Sequence, residues 1–169
     1  MSRSEKTDIK VNLIVYAITN VDELAMTFTA KVKSQIQWKD GRIIFKDLAN
    51  ETNFLNKDWQ DQIWLPPLYY SNTEETVQIL KGDLVQVEVL RQGKPKYNIV
   101  TRVNEGHLFN GEENELQLIA KDELEFNCLY DLSWFPFDNQ QCSIQIRIPL
   151  DLRDYITFEA QEVAYKGRY

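Results

Sequence analysis

An all-β antiparallel sandwich or barrel is the fold class that this 169-residue sequence predicts. Three observations carry the prediction. Short segments alternate apolar with polar residues at the period of two expected of strands that bury one face. Glycine-, proline- and asparagine-rich turn signals separate them at short intervals. No long stretch has the apolar spacing of an amphipathic helix, and many short strands without helices fold as sandwiches or barrels.

Taken in order, Lys10 to Ile18 is strand-like with a nearly continuous apolar run, and Met26 to Ile36 alternates cleanly. Lys39-Asp40-Gly41 then marks a turn. Asp47 to Trp59 is the one helix-like candidate. Its Asn and Asp residues suit caps and turns better than a helix interior, so it reads as an irregular loop with at most one turn. After Pro66-Pro67 and Lys81-Gly82-Asp83, Leu84 to Leu90 is the next alternating segment, followed by the turn Gln92-Gly93-Lys94-Pro95. Asn110-Gly111 precedes Leu116 to Ile119, and Ser143 to Ile148 closes the series. The tail, Tyr165 to Tyr169, holds a hairpin-like glycine with no return strand after it, as expected of a unit truncated at its end. No repeat or linker divides the chain, so residues 1–169 read as one domain, with 1–9 a flexible or artificially added lead-in.

Composition bounds the function. With 19 Lys plus Arg against 26 Asp plus Glu, a net charge of −7 repels a phosphate backbone, which excludes general nucleic-acid binding. The longest apolar run, Leu13 to Ile18, is far short of the roughly 20 residues of a membrane-spanning helix. The polar start Met1-Ser2-Arg3-Ser4-Glu5-Lys6 has no apolar leader core, and fits either a cytosolic start or a chain whose signal peptide has been removed. A single histidine, His107, with no phosphate loop, no nucleophile elbow and no thiol–base pair, argues against an enzyme and against any cofactor.

The two cysteines, Cys128 and Cys142, enclose thirteen residues. Two thiols with one histidine lack the ligands that close a tetrahedral zinc site. A disulfide, which persists only in an oxidising compartment, and a pair of buried free thiols both remain open on this count alone. The loop apex, Trp134-Phe135-Pro136-Phe137-Asp138, sets three aromatics and a proline between polar flanks. Such a sequence favours a rigid turn compatible with a cis bond, and an apolar knob at a loop tip calls for a covering partner.

This loop resembles that of the extracellular domain of the Cys-loop family of pentameric ligand-gated ion channels. The family pattern is matched by Cys128, Leu132, Phe135, Pro136, Phe137, Asp138, Gln140 and Cys142. Upstream, Asn20-Val21-Asp22-Glu23 is followed fifteen residues later by Trp38-Lys39-Asp40, which is similar to the first inner loop and the Trp-x-Asp strand. Asp61-Gln62-Ile63-Trp64-Leu65-Pro66 with Tyr70-Ser71-Asn72 is similar to the segment that begins the first binding loop. Phe109-x-Gly111-x-x-Asn114 points to an invertebrate, orphan-type branch. The family's N-terminal helix, last strand and pore helices have no counterpart here.

The resemblance implies an immunoglobulin-like sandwich, truncated at both ends, with a Cys128–Cys142 disulfide. It implies that Phe135, Pro136, Phe137 and Asp138, with Glu23 and Leu24 on the first hairpin, press against the linker between pore helices. It also implies a pentamer of identical or homologous subunits on the extracellular face of the plasma membrane, with a small-molecule or ion ligand between subunits. The aromatic box that holds ammonium ligands is mostly absent. Its positions fall on Pro149, seven residues after Cys142, on Ser71 beside Tyr69 and Tyr70, and on Lys33, five residues before Trp38. Lys33 either extends into water or faces a carboxylate. Tyr165 either closes over a ligand or is an edge-strand aromatic.

Two further features stand apart from the resemblance. Glu112, Glu113 and Glu115 are candidates for a hard cation or a pH sensor, against the plainer reading of a solvated acidic face. Asn50-Glu51-Thr52 is the one glycosylation sequon. The functional expectation is a ligand-sensing channel domain that couples binding to pore opening through the Cys128–Cys142 loop. The alternatives are a secreted binding protein of the same fold without a pore, and a cell-adhesion sandwich.

Overall fold

A computed structural model describes residues 6–79, 84–100 and 105–165. Two long strands, β1 (Thr7–Asp22) and β2 (Thr27–Trp38), form a hairpin whose register runs from Lys10 opposite Gln37 to Asp22 opposite Thr27. On β2 the residues Phe28, Ala30, Val32, Ser34, Ile36 and Trp38 are all buried, so the alternation in the sequence is the alternation of the two sheet faces. The short elements β3 (Ile44–Lys46), β4 (Thr52–Phe54), β5 (Tyr69–Tyr70), β6 (Val77–Gln78), β7 (Leu84–Leu90), β8 (Tyr97–Val100) and β9 (Glu105–Asn110) follow. Then come β10 (Glu115–Asn127), β11 (Ile146–Arg147) and β12 (Ile156–Tyr165).

One layer is a six-stranded sheet in the order β12-β1-β2-β10-β7-β4. Over its buried face lie two three-stranded sheets, β11-β5-β6 and β3-β9-β8, which contribute Tyr70, Phe45 and Phe109 to a single core. This is the expected sandwich of two layers around one apolar centre. At that centre Phe126 stacks on Phe28 with ring centroids 5.4 Å apart and meets Tyr70 edge-on at 5.6 Å. The Tyr70 hydroxyl shares a 2.7 Å hydrogen bond with Ser34 Oγ, which satisfies both buried polar groups. Burial raises the Tyr70 pKa well above the ordinary tyrosine range.

The elements depart from the sequence reading in four ways. β12 pairs with β1 in parallel, from Thr7 opposite Ile156 onward, whereas an antiparallel sheet was expected throughout. The cause is the approach of the chain, since the backbone N–H of Thr7 donates to Tyr155 O at 2.9 Å and both strands leave that end in one direction. Ser143 to Ile148 keeps its alternation, with Ile144, Ile146 and Ile148 packed on the core, yet only Ile146 and Arg147 form ladder pairs. The partner β5 is only two residues long, and periodicity reports burial rather than pairing. β10 continues to Asn127, well past the predicted Ile119, because β2 offers partners as far as Thr27. Asp47 to Trp59 contains β4 and leads into one helical turn, Lys57–Gln60, capped by Asn56 Oδ1 accepting from Trp59 N at 3.0 Å. The predicted turn at Lys81-Gly82-Asp83 and the tail from Lys166 to Tyr169 lie outside the described residues.

Candidate functional site

One end of the sandwich is built by the cysteine-bridged loop. Cys128 leaves β10 with its N–H donating to Met26 O at 2.9 Å, and Cys142 closes the bridge with Cα atoms 5.4 Å apart. Tyr130 anchors the loop from within, being buried and donating its hydroxyl to Thr27 O at 2.8 Å. Burial raises the Tyr130 pKa, and the nearby Glu23 and Asp22 charges add to the shift.

Polar bonds hold the rest of the loop. Gln140 accepts from Asp131 N at 2.9 Å and donates back to Asp131 O at 2.7 Å, and its amide also donates to Asp138. Asp131 receives Ser133 N at 3.1 Å, and the Ser133 bonds lower the Asp131 pKa. At the apex Phe137 N donates to Trp134 O at 2.7 Å around a cis Phe135–Pro136 bond.

What the loop presents is apolar. Phe137 is 91% exposed, Leu129 90% and Trp134 78%. The β1–β2 hairpin tip stands at the same end, where Asp22 Oδ1 accepts from the N–H groups of Leu24 and Ala25, each at 2.9 Å, and Met26 takes a positive φ of 57°. Leu24 at that tip is 98% exposed. The six residues read from the sequence as a coupling surface thus divide between two segments joined by the Cys128–Met26 and Tyr130–Thr27 hydrogen bonds.

The other candidates do not form one cluster within a chain. Tyr69 lies on β5 opposite Arg147, Ser71 N donates to Gln145 O at 2.9 Å, and Pro149 follows β11 at the start of a 3-10 turn, Leu150–Leu152. These three therefore sit with the smaller sheet. Tyr70 does not join them, because it is fully buried between Ser34 and Phe126 with no face left for a ligand. Tyr165 ends β12 and is exposed.

Lys33 is on the opposite layer. Its neighbours Val32 and Ser34 are buried, so it points away from the core on the outer face of the six-stranded sheet. The register of β2 and β10 sets Lys121 directly across from it. Among the described residues, neither lysine has an ion-pair partner, whereas Lys31 on the same face is 3.5 Å from Glu123. The sequence reading missed Lys121, because its position opposite Lys33 is a property of strand register alone.

The acidic candidates are placed in three different ways. Glu115 is buried, 3.1 Å from Lys10 Nζ, and accepts from Gln92 Nε2 at 3.0 Å, so each of its carboxylate oxygens already has a polar partner within the chain. Glu112 takes part in a turn, its N–H donating to Asn110 Oδ1 at 3.2 Å. Glu113 is exposed. Among the described residues, no three His, Cys, Asp or Glu side chains are grouped to hold a metal ion, and no helix is long and apolar enough to cross a membrane.

The far end of the sandwich explains two other motifs. Asp40 accepts from Arg42 Nε at 2.8 Å and Nη2 at 2.6 Å, and that contact lowers its pKa. A Cβ on Gly111 would stand 2.0 Å from the Asp40 carbonyl oxygen, so only glycine fits there. Asn114 is fully buried, accepts from the N–H groups of Gln92 at 3.0 Å and Gly93 at 3.2 Å, and donates to Asn110 O at 2.8 Å. Arg91 lies over the Phe109 ring at 4.6 Å. Trp38-Lys39-Asp40 and Phe109-x-Gly111-x-x-Asn114 are thus two halves of one structural joint.

Comparison with known proteins agrees with this architecture. Residues 1–164 match the family model of the neurotransmitter-gated ion-channel ligand binding domain. The chain is 22% identical over 140 residues to a glutamate-gated chloride channel of Drosophila melanogaster, covering 82% of this chain and 26% of that protein. It is 21% identical over 138 residues to the human gamma-aminobutyric acid receptor subunit rho-3, covering 82% of this chain and 25% of the subunit. It is 24% identical over 138 residues to the chicken gamma-aminobutyric acid receptor subunit beta-4, covering 82% and 24%. The chain therefore spans about a quarter of the length of the curated relatives it matches. The matched model, the two-layer sandwich and the bridged Phe-Pro-Phe-Asp loop agree: this chain belongs to the neurotransmitter-gated ion-channel ligand-binding domain family, whose members are receptors rather than enzymes.

Proposed function

We propose that this chain is the extracellular ligand-sensing domain of a pentameric ligand-gated channel, and that its ligand is a small molecule bearing a carboxylate. The observation that carries the ligand class is the facing of Lys33 and Lys121 across β2 and β10. Like charges directly opposite on a sheet are destabilising, and an anion between them relieves the repulsion. Lysine is a compact, three-donor point charge suited to such an anchor. The relatives whose names state a ligand are gated by glutamate or receive gamma-aminobutyric acid, and both of these carry a carboxylate.

The location of the candidates supports an interface rather than a pocket inside one chain. Tyr69, Ser71 and Pro149 belong to the smaller sheet, and Lys33 with Lys121 to the outer face of the larger one. These surfaces sit on opposite layers of the sandwich, so a single small ligand meets both only between two subunits. Binding then favours one packing of adjacent subunits over another, and the shift is limited by the ligand's differential affinity for the two packings.

The bridged loop and the Leu24 hairpin tip carry that shift to the pore. Their support is the exposed apolar surface of Leu24, Trp134, Phe135 and Phe137 on rigidly held turns, which calls for a covering partner. The disulfide fits an oxidising, extracellular location.

The test is light scattering of the non-reduced protein, followed by calorimetric titration with glutamate, gamma-aminobutyric acid and choline. Five copies that bind a carboxylate ligand and ignore choline are expected, with Lys33→Gln and Lys121→Gln each weakening binding about tenfold. Binding of choline alone, or carboxylate binding untouched by either substitution, overturns the ligand class.

A further inference from the structure

The sequon Asn50-Glu51-Thr52 belongs neither to the core nor to the facing lysines. Asn50 and Glu51 form the bend that leads into β4, and Thr52 is the first residue of that strand, which lies at one margin of the six-stranded sheet and pairs with β7. Asn-x-Thr is the acceptor pattern for N-linked oligosaccharide where the tripeptide lies on accessible surface. Asn50, Glu51 and Thr52 are all exposed.

The neighbouring Asn53 shows how the segment is presented. Its carboxamide accepts from Ala49 N at 2.8 Å and donates to Glu51 O at 2.8 Å, which ties the backbone from 49 to 53 into a fixed bend. The Asn50 carboxamide and the Thr52 hydroxyl, by contrast, make no hydrogen bond to a described residue. One asparagine is used to build the bend, and the other is held out on it.

We infer that Asn50 carries an N-linked oligosaccharide, and that the glycan covers the unpaired edge of β4. In this step Asn50 Nδ2 attacks the anomeric carbon of an oligosaccharide carried on a lipid pyrophosphate. The N–C bond forms, the C–O bond to pyrophosphate breaks, and the lipid pyrophosphate leaves with the bonding electrons. The displaced amide proton passes to a base, and nothing is oxidised or reduced. The edge gives the modification a physical use. An exposed strand margin with Phe54 beside it is a template for pairing with another chain, and proteins cover or charge such edges.

The test is expression of the chain behind a secretory leader in eukaryotic cells, with collection of secreted protein whose two cysteines are oxidised. Peptide N-glycosidase is expected to remove one oligosaccharide and leave Asp at position 50. Asn50→Gln and Thr52→Ala are expected to lack the glycan before treatment, and Thr52→Ser to retain it. Secreted, oxidised wild-type protein with Asn50 unmodified by peptide mass overturns the site. Sedimentation of the enzymatically deglycosylated protein tests the edge. Increased self-association that Phe54→Lys suppresses supports the covering role, and unchanged sedimentation overturns that role.

Discussion

The two ends of this sandwich handle their signature residues in opposite ways. At the Asp40–Gly111–Asn114 joint the signature residues are packed in and hydrogen-bonded to the turns around them, and Trp38, Phe109 and Asn114 are almost wholly buried. At the Cys128–Cys142 loop, the polar residues Asp131, Ser133 and Gln140 bond to each other while the aromatics Trp134, Phe135 and Phe137 face solvent. In the first region the motif is architecture. In the second the polar bonds hold an apolar cluster out to solvent, which is the surface that the proposed coupling role uses.

Substitutions sharpen this contrast, beginning with the largest effect. Replacing Cys128 and Cys142 together by serine should cost about 3 kcal/mol, the entropy that a bridge across a loop of this size withholds from the unfolded chain. Denaturant unfolding of the double variant, with and without reductant, checks this, and reductant should affect only the wild type. Gly111→Ala forces a Cβ against the Asp40 carbonyl and should cost about 2 kcal/mol, visible as a lower urea midpoint at unchanged slope. If that variant unfolds like wild type, the close approach of Gly111 to the Asp40 carbonyl does not constrain the fold.

Asp40→Asn should cost about 1 kcal/mol at neutral pH, because a hydrogen-bonded pair with the largely exposed Arg42 is screened by water. The sign of its pH dependence follows from the lowered pKa of Asp40. A depressed carboxylate contributes stability above the ordinary aspartate value and loses it as pH falls through the native value. The wild type and Asp40→Asn should therefore converge in stability under acid, as followed by circular dichroism. The smallest effect belongs to the display loop, where Phe137→Ser should change stability by less than about 0.5 kcal/mol. The same substitution in a full-length channel should reduce agonist-evoked current without changing ligand affinity in the isolated domain.

Much of this was legible in the chain itself. The alternation of Met26 to Ile36 and of Leu84 to Leu90 marked β2 and β7 almost to the residue. The loop motif also marked the bridged turn. The shortest strands escaped, because two or three residues such as β5 or β3 carry no period to detect. Tyr70 illustrates a different failure. A tyrosine next to a binding-loop position reads as a ligand contact in the sequence, and its burial is decided by Ser34 and Phe126, both distant in sequence.

The sequence alone determined the strand faces and the apolar turn between the two cysteines, because local periodicity and residue chemistry are properties of adjacent positions. Tertiary structure decided which of those faces meet. It ran β12 parallel to β1, buried Tyr70, tied Asp40 to Gly111 and set Lys33 opposite Lys121. Each of these depends on register between segments far apart in the chain, and register is fixed only when the whole apolar face is buried at once.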